Sequence, residues 1–354
     1  MKKLAGMLAV AGVMSLAGFV QAGPEWEIGD DSWLKLSFLG QVHGTYIKDA
    51  DQETDIYLRR ARIILAGQIM DGVKFFAETD NDNAGRNGFP DSSTDIQDIF
   101  VDVRILDSAH WAKAGLILLP FSFETRSSAA SLLGIDYNVE AIKLVNTFVW
   151  RDYGAELHGE FLSKRLAYAV GVFDGYDSEG GHKSTDAEAR ITGHVLFNLI
   201  GEAETGWFYS QERLGAKGNY LTVGTGYDSQ NKATEVAGVD GEASRLVDSE
   251  AWVLDFQSGF NFGEKVDLTV NGAWYDWDNA VFKGNTAFVE AGVGYGKTML
   301  TGKYSLQDRD SKDSVNNYTA GIHYFMKNHN LRGGVEYRWG DSPDVVLAGL
   351  QFFL

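Results

Sequence analysis

The sequence predicts an all-β protein, a transmembrane antiparallel β-barrel of about 16 strands. Three observations predict it. Many segments alternate apolar and polar residues with a period of two, and the connections between them alternate between short and long. After residue 22 there is no apolar run long enough for a membrane-spanning helix. Tilted strands of about 10 residues that expose an apolar side chain at every second position are typical of transmembrane barrels.

The alternation is clearest in the last third of the chain. Residues 266–271 alternate apolar and polar without a break. In the preceding segment Trp252, Leu254 and Phe256 share one face, whereas Asp255 and Gln257 share the other. Aromatic side chains lie near the segment ends, as expected where a barrel crosses the two membrane interfaces. One face is therefore predicted to contact lipid.

Counting such segments gives sixteen strands. The tight turns are at 71–72, 263–265 and 327–330, and the long connections are 83–94, 120–150, 175–185 and 229–248. This difference predicts short periplasmic turns and long outer loops. One connection, 199–218, is long although it belongs to the periplasmic side. The predicted strands are 34–47, 55–70, 73–82, 95–106, 111–119, 151–162, 165–174, 186–198, 219–228, 250–262, 265–277, 286–296, 298–308, 316–326, 331–340 and 345–354.

The first 22 residues resemble a secretory signal peptide. Lys2 and Lys3 precede an uncharged apolar stretch, and Val20-Gln21-Ala22 offers small residues where a signal peptidase reads the chain. The stretch is shorter than the ~20 residues that a membrane anchor prefers. We therefore expect cleavage after Ala22, export, and a barrel formed by residues 23–354 in the bacterial outer membrane, with outer-membrane lipid as its surroundings.

Composition narrows the classes of partner and chemistry. The formal charge of −18 argues against a nucleic-acid partner, because nucleic acid selects basic surfaces. The chain has no cysteine, so disulfides and cysteine metal sites are excluded. It lacks the usual hydrolase, metalloprotease and phosphate-loop motifs, and its seven histidines are scattered singly. We expect no catalytic residue, no metal and no cofactor.

Three passages resemble the phosphate-selective porin O and P family. They are Leu58-Arg59-Arg60-Ala61-Arg62, Ala114-Gly115-Leu116 leading into Pro120-Phe121-Ser122, and Arg151-Asp152-Tyr153-Gly154. The resemblance implies an outer-membrane porin that allows passive diffusion of small hydrophilic solutes or ions, among them phosphate or other oxyanions. It also implies a homotrimer, and a long third loop (residues 120–150) that folds into the lumen and narrows the pore.

Parity along the strands indicates which charged residues line the pore. Arg60 and Arg62 alternate with Ile63, Leu65 and Ile69, and a charge on the lipid face at mid-membrane would cost about 2–4 kcal/mol. We therefore expect both arginines to point inward and to attract an anion. The further pore-lining candidates are Lys74, Arg104, Asp98, Asp102 and Arg190, and the constriction-loop candidates are Glu124, Arg126, Asp136, Glu140 and Lys143.

Two questions stay open at this stage. Acids outnumber bases among the inward positions, and many of these charges are expected to form ion pairs between strands, so the preference for anions or cations is not predicted. The alternative function is a non-conducting barrel whose acidic outer loops bind a surface partner. An outer-membrane enzyme is a third hypothesis, but no ordered catalytic constellation supports it.

Overall fold

The chain forms one closed antiparallel barrel. A computed structural model describes residues 23–88, 93–106, 108–142, 150–175, 182–183, 187–201, 218–238, 243–310 and 312–354. In chain order the strands are β1 (Glu25–Gly29), β2 (Ser32–Ile47), β3 (Thr54–Met70), β4 (Val73–Ala84), β5 (Asp95–Arg104), β6 (His110–Leu118), β7 (Arg151–Phe161), β8 (Leu166–Phe173), β9 (His182–Lys183), β10 (Arg190–Ile200), β11 (Tyr220–Val236), β12 (Arg245–Phe262), β13 (Val266–Asp278), β14 (Lys283–Tyr295), β15 (Thr298–Arg309), β16 (Val315–His329), β17 (Leu331–Gly340) and β18 (Val345–Phe353).

Sixteen of these strands make the ring. Each pairs with its neighbours in chain order, β8 pairs directly with β10, and β18 returns to pair with β2. The closing register runs from Val345 opposite Ile47 to Phe353 opposite Leu39. Closure removes the unpaired edges of the sheet, which a bilayer would not tolerate. The prediction of a 16-stranded antiparallel barrel is confirmed.

The two remaining strands are short additions to the ring. β1 pairs with the first residues of β2, and β9 pairs with the far end of β11. β1 lies beside the part of β2 that precedes its pairing with β18, and the amide of Phe38 donates to the carbonyl of Leu354. The start and the end of the described chain therefore meet along one strand.

Burial alternates along the strands in the predicted sense. On β3 the side chain of Ile63 is exposed whereas Arg62 and Ile64 are buried. On β12 Trp252 and Leu254 are exposed whereas Val253 and Asp255 are buried. Exposed apolar side chains on most strands give the barrel an apolar outer face, and the buried polar side chains belong to its inner face.

The hairpin of β11 and β12 extends further than predicted. Pairing continues from Thr234 opposite Val247 to Val236 opposite Arg245, inside the connection predicted for 229–248. The prediction ended both strands where apolar alternation stops, yet backbone pairing beyond a membrane needs no apolar face. Residues 202–217 of the unusual connection lie outside the described residues.

Helical structure is minor in the described part of the chain. One helical turn, α1 (Val139–Ile142), lies in the connection between β6 and β7, and a short 3-10 turn, Arg86–Gly88, lies between β4 and β5. None of the helices among the described residues is long and apolar enough to cross a membrane.

Candidate functional site

The connection between β6 and β7 forms many hydrogen bonds to the barrel wall. Its described part, residues 119–142, is here called the bound segment. Phe123 donates its amide to the Asp255 carboxylate on β12 at 3.0 Å, and the Gln41 amide on β2 donates to the carbonyl of Ala129 at 2.9 Å. β2 and β12 lie far apart in the ring, so the bound segment reaches strands on well-separated sides of the wall.

Its second half is bonded just as closely. The Arg332 guanidinium on β17 donates to the carbonyls of Leu132 at 2.6 Å and Gly134 at 2.9 Å. The Ile135 amide donates to the Glu336 carboxylate at 2.8 Å. These bonds satisfy backbone groups that would otherwise be buried without partners, which fixes the path of the chain.

An aromatic cluster anchors the start of the bound segment. The ring of Phe121 packs on Tyr275 and Trp277 of β13, with centroids 6.0 Å and 5.6 Å away, and Phe123 packs on Phe288 of β14 at 6.2 Å. All five side chains are buried. Burial of large rings contributes strongly to stability, so packing holds this end in addition to the hydrogen bond from Phe123 to Asp255.

Asp136 joins the bound segment to the arginines of β3. Its carboxylate accepts hydrogen bonds from Arg59 Nε at 2.7 Å and from Arg60 Nη2 at 2.8 Å. Burial would raise the pKa of Asp136, but the positive charges of Arg60 and Arg59 outweigh it and hold the pKa well below its ordinary value. The neighbouring Tyr137 donates its hydroxyl to the carbonyl of Ser127 at 2.6 Å, and burial raises its pKa to about 12.

The remaining guanidinium groups of β3 are also occupied. Arg62 donates to Asp80 at 2.7 Å and to Glu78 at 2.7 Å, and Arg60 has Gln41 as a second acceptor at 2.7 Å. All of these residues are buried. Both predicted arginines lie on the inner face, but each is bound to carboxylates of the protein itself.

The other predicted pore-lining residues also have protein partners. Asp98 accepts from Arg151 at 3.0 Å, Asp102 accepts from His158 at 3.0 Å, and Arg190 donates to Asp228 at 2.7 Å. Lys74 lies 4.5 Å from the centre of the Trp111 ring and opposite Asp102, and Arg104 forms an ion pair with Asp71. Except for the half-buried Lys74 and Arg104, these predicted residues are buried.

The predicted loop residues are likewise engaged. Glu124 accepts from the Asn138 amide at 2.8 Å, Arg126 lies 3.4 Å from Glu156, and Glu140 lies 3.5 Å from Lys303. Lys143 lies outside the described residues. Arg126 and Glu140 therefore pair with oppositely charged residues of the strands, so a cation and an anion of the bound segment both hold it to the wall.

Arg59 is a residue that parity did not predict. It follows Leu58 and precedes Arg60, so simple alternation would turn one of two adjacent arginines towards lipid. The structure has a β-bulge here, because Arg60 pairs with Gln41 and Leu58 already pairs with Val42. The extra residue places both arginines on the buried face. The cost of a lipid-facing arginine is the signal in the sequence that could have indicated the bulge.

A cavity of about 230 Å³ lies beside the bound segment, on the side of the long connections. Strand residues from β2, β3, β15, β16, β17 and β18 line it, together with Asp136, Tyr137, Val139 and Glu140 of the bound segment. We call this space the vestibule. Its lining combines charged groups with aromatic and aliphatic side chains.

Comparison with known families agrees with the sequence motifs. Residues 37–195 match the family model described as phosphate-selective porin O and P. The family resemblance is confirmed. The matched residues run from β2 into β10 and include the three arginines of β3 and the whole bound segment. No curated protein sequence matches the chain.

Solved structures of outer-membrane proteins share this porin fold. OprB of Pseudomonas putida superposes with a TM-score of 0.62 at 12% identity, covering 92% of this chain and 94% of that one. A loop-deletion mutant of OmpT from Vibrio cholerae gives 0.59 at 12% identity, covering 92% and 100%. A mutant of Rh. blastica porin gives 0.56 at 14% identity, covering 91% and 100%. The fold is therefore that of outer-membrane porins, and nearly half of the chain matches the porin family model.

Proposed function

We propose that this porin lets small hydrophilic solutes and ions diffuse passively across the outer membrane, and that the bound segment lies across the lumen as its constriction. The observation that carries the proposal is the set of bonds from one segment to β2, β12 and β17 around the ring. A segment bonded to the inner face on several sides narrows the space that remains for a solute. Sixteen strands leave room for an aqueous lumen around it.

Small oxyanions, phosphate among them, are the finer proposal for the solute. The buried arginines of β3 support a positive potential on one part of the wall, but Arg60 and Arg62 donate to carboxylates and a glutamine. A paired guanidinium attracts an anion less than a free one, because its charge is largely compensated. The ion preference should therefore be weak at these two residues and should depend on cations that have no carboxylate beside them.

Export and assembly are proposed on separate grounds. The signal peptide predicted for residues 1–22 lies outside the described residues, and its sequence pattern is the support for export and cleavage. A homotrimer in outer-membrane lipid is proposed from the family, and one solved form of OmpT from Vibrio cholerae is described as a trimer. The apolar outer face supports contact with lipid or with another subunit.

Planar-bilayer recording tests the channel directly. Purified protein should give stepwise ion flux, and replacement of residues 121–140 by a short glycine-serine linker should raise the single-channel conductance. The reversal potential in a KCl gradient reports ion preference. Flux that is unchanged by the replacement would reject the constriction. No flux from correctly folded protein would reject the porin proposal and favour the barrel whose outer loops bind a surface partner.

A further inference from the structure

Arg338 of the inner wall lacks the acidic neighbour that several other inner-wall cations have. Several inner-wall cations lie directly opposite an acid on a neighbouring strand: Arg62 opposite Asp80, Lys74 opposite Asp102, Lys113 opposite Glu156 and Lys303 opposite Glu290. Arg338 of β17 lies between Thr319 and Val345, which carry no charge. Register therefore gives Arg338 no carboxylate on either side.

Arg338 also lacks a salt-bridge partner elsewhere among the described residues. The described part of the chain contains no ion pair to it, and its buried Nε atom has no hydrogen-bond partner there. Arg338 lines the vestibule. A guanidinium that lacks a carboxylate partner and lines a cavity favours a solute that supplies a carboxylate oxygen there, because hydrogen bonds between charged groups are the strong ones.

Two further donors belong to the same cavity. Trp150 lines it, and its buried Nε1 atom has no acceptor among the residues that the structure describes. Arg86 also lines it, with its guanidinium carbon 5.2 Å from the centre of the Tyr57 ring and without an ion pair to any described residue. The vestibule thus combines two guanidinium groups that lack carboxylate partners with an indole N–H.

The charge balance of the lining limits the charge of a solute. Four cationic side chains, of Arg59, Arg86, Lys303 and Arg338, and three carboxylates, of Asp136, Glu140 and Glu336, line the cavity among the described residues. The excess is one positive charge. A monoanion balances that excess, whereas a dianion would also be repelled by the three carboxylates.

The rest of the lining indicates what the anion should carry. Tyr57, Tyr137 and Trp150 contribute rings, and Ile47, Val139 and Leu347 contribute aliphatic side chains. An inorganic ion would leave this surface facing water, whereas an organic anion would cover it. Burial of apolar area contributes about 25 cal/mol per Å².

We propose that the vestibule is a binding site for small organic monoanions, with a carboxylate on Arg338 and a flat apolar body against the rings. This inference rests on the proposed function, since it places the site on the diffusion path. Arg86 and the Trp150 N–H are the additional donors. The site would select a monocarboxylate over phosphate, and over an uncharged compound of the same shape.

Calorimetric titration of the folded full chain in detergent tests the site, with sodium benzoate as the probe and with phosphate and benzamide for comparison. We expect benzoate to bind and the other two to bind at least ~10-fold more weakly. Arg338→Gln should weaken benzoate binding about 10- to 100-fold, since one bond to a charged group is lost. The matched control is Arg165→Gln, which removes the same charge from an exposed turn after β7.

A second variant leaves Arg338 in place. Thr319→Glu puts an acid directly opposite Arg338 and should also weaken benzoate binding, because the guanidinium then has a partner within the wall. Equal benzoate affinity in Arg338→Gln and wild type would overturn the proposal, and so would phosphate binding as tightly as benzoate. Bilayer flux is measured separately. Binding without flux would reject the porin function alone, and flux without binding would reject this site alone.

Discussion

Replacing Asp136 by asparagine should release the middle of the bound segment from the wall. The carboxylate accepts from two arginines, at 2.7 Å from Arg59 Nε and 2.8 Å from Arg60 Nη2. A hydrogen bond to a charged group contributes about 1.5–3 kcal/mol net. Arg59 keeps Asp82 and Arg60 keeps Gln41, and asparagine retains one acceptor oxygen. We therefore expect a net loss of about 2–3 kcal/mol of anchoring, because most of one charged bond and part of the other disappear.

That loss has a measurable kinetic consequence. An anchoring loss of 2–3 kcal/mol raises the ratio of released to anchored states roughly 30- to 160-fold. Single-channel current in a planar bilayer should show longer and more frequent excursions to higher conductance. The matched control is Asp82→Asn, which removes the other carboxylate from Arg59 without touching the bound segment. Traces as quiet as wild type, or equal noise in the control, would refute the anchoring role of Asp136.

The same anchor sets a pH dependence. A carboxyl whose pKa is depressed in the folded state contributes stability above its ordinary value of 3.8, and that contribution is lost as the pH falls through the lower folded pKa. Wild-type current noise should therefore stay constant from pH 8 down to about pH 4. The Asp136→Asn channel should be noisy throughout this range. Wild-type noise that rises between pH 6 and pH 5 would contradict the assignment.

Two further substitutions test the wall and the close approach of the bound segment. Arg62→Met leaves Glu78 and Asp80 buried without their cation, so it should lower the free energy of unfolding by about 3–5 kcal/mol. The loss would be measured as a lower urea midpoint of unfolding in lipid vesicles, and an unchanged midpoint would contradict the pairing. Gly226→Ala puts a methyl carbon 1.9 Å from the Phe121 carbonyl oxygen, so it should shift the bound segment and change the single-channel conductance. Migration as folded protein on gels is the control for folding, and wild-type conductance would argue against that contact.

The strands could be predicted because the membrane imposes a simple rule on the sequence. A lipid-facing side chain must be apolar, so alternation marks each crossing, and all sixteen predicted strands are present. Outside the membrane the rule no longer applies. The ends of β11 and β12, where Thr234 pairs with Val247, were therefore missed, although the backbone pairing resumes there after a register shift that follows Gln230.

The inward direction of Arg60 followed from the same rule, but its partner did not. Asp136 is 76 residues away, and only the path of the bound segment brings the two together. Arg59 was missed because a bulge shifts parity by one residue, and the bulge depends on the register with Gln41 and Val42. Short-range patterns in a barrel predict which face a side chain occupies, whereas its partners depend on register and on the loop.

Register also decides where charge is available to a solute. Arg62 lies opposite Asp80, so its charge is compensated within the wall however deep it lies in the lumen. Arg338 lies opposite Thr319 and Val345, so its charge is not compensated in this way. The number of arginines on the inner face is therefore a poor guide to anion preference. What matters is which of them lack an acid on the two neighbouring strands, as Arg338 does in the vestibule.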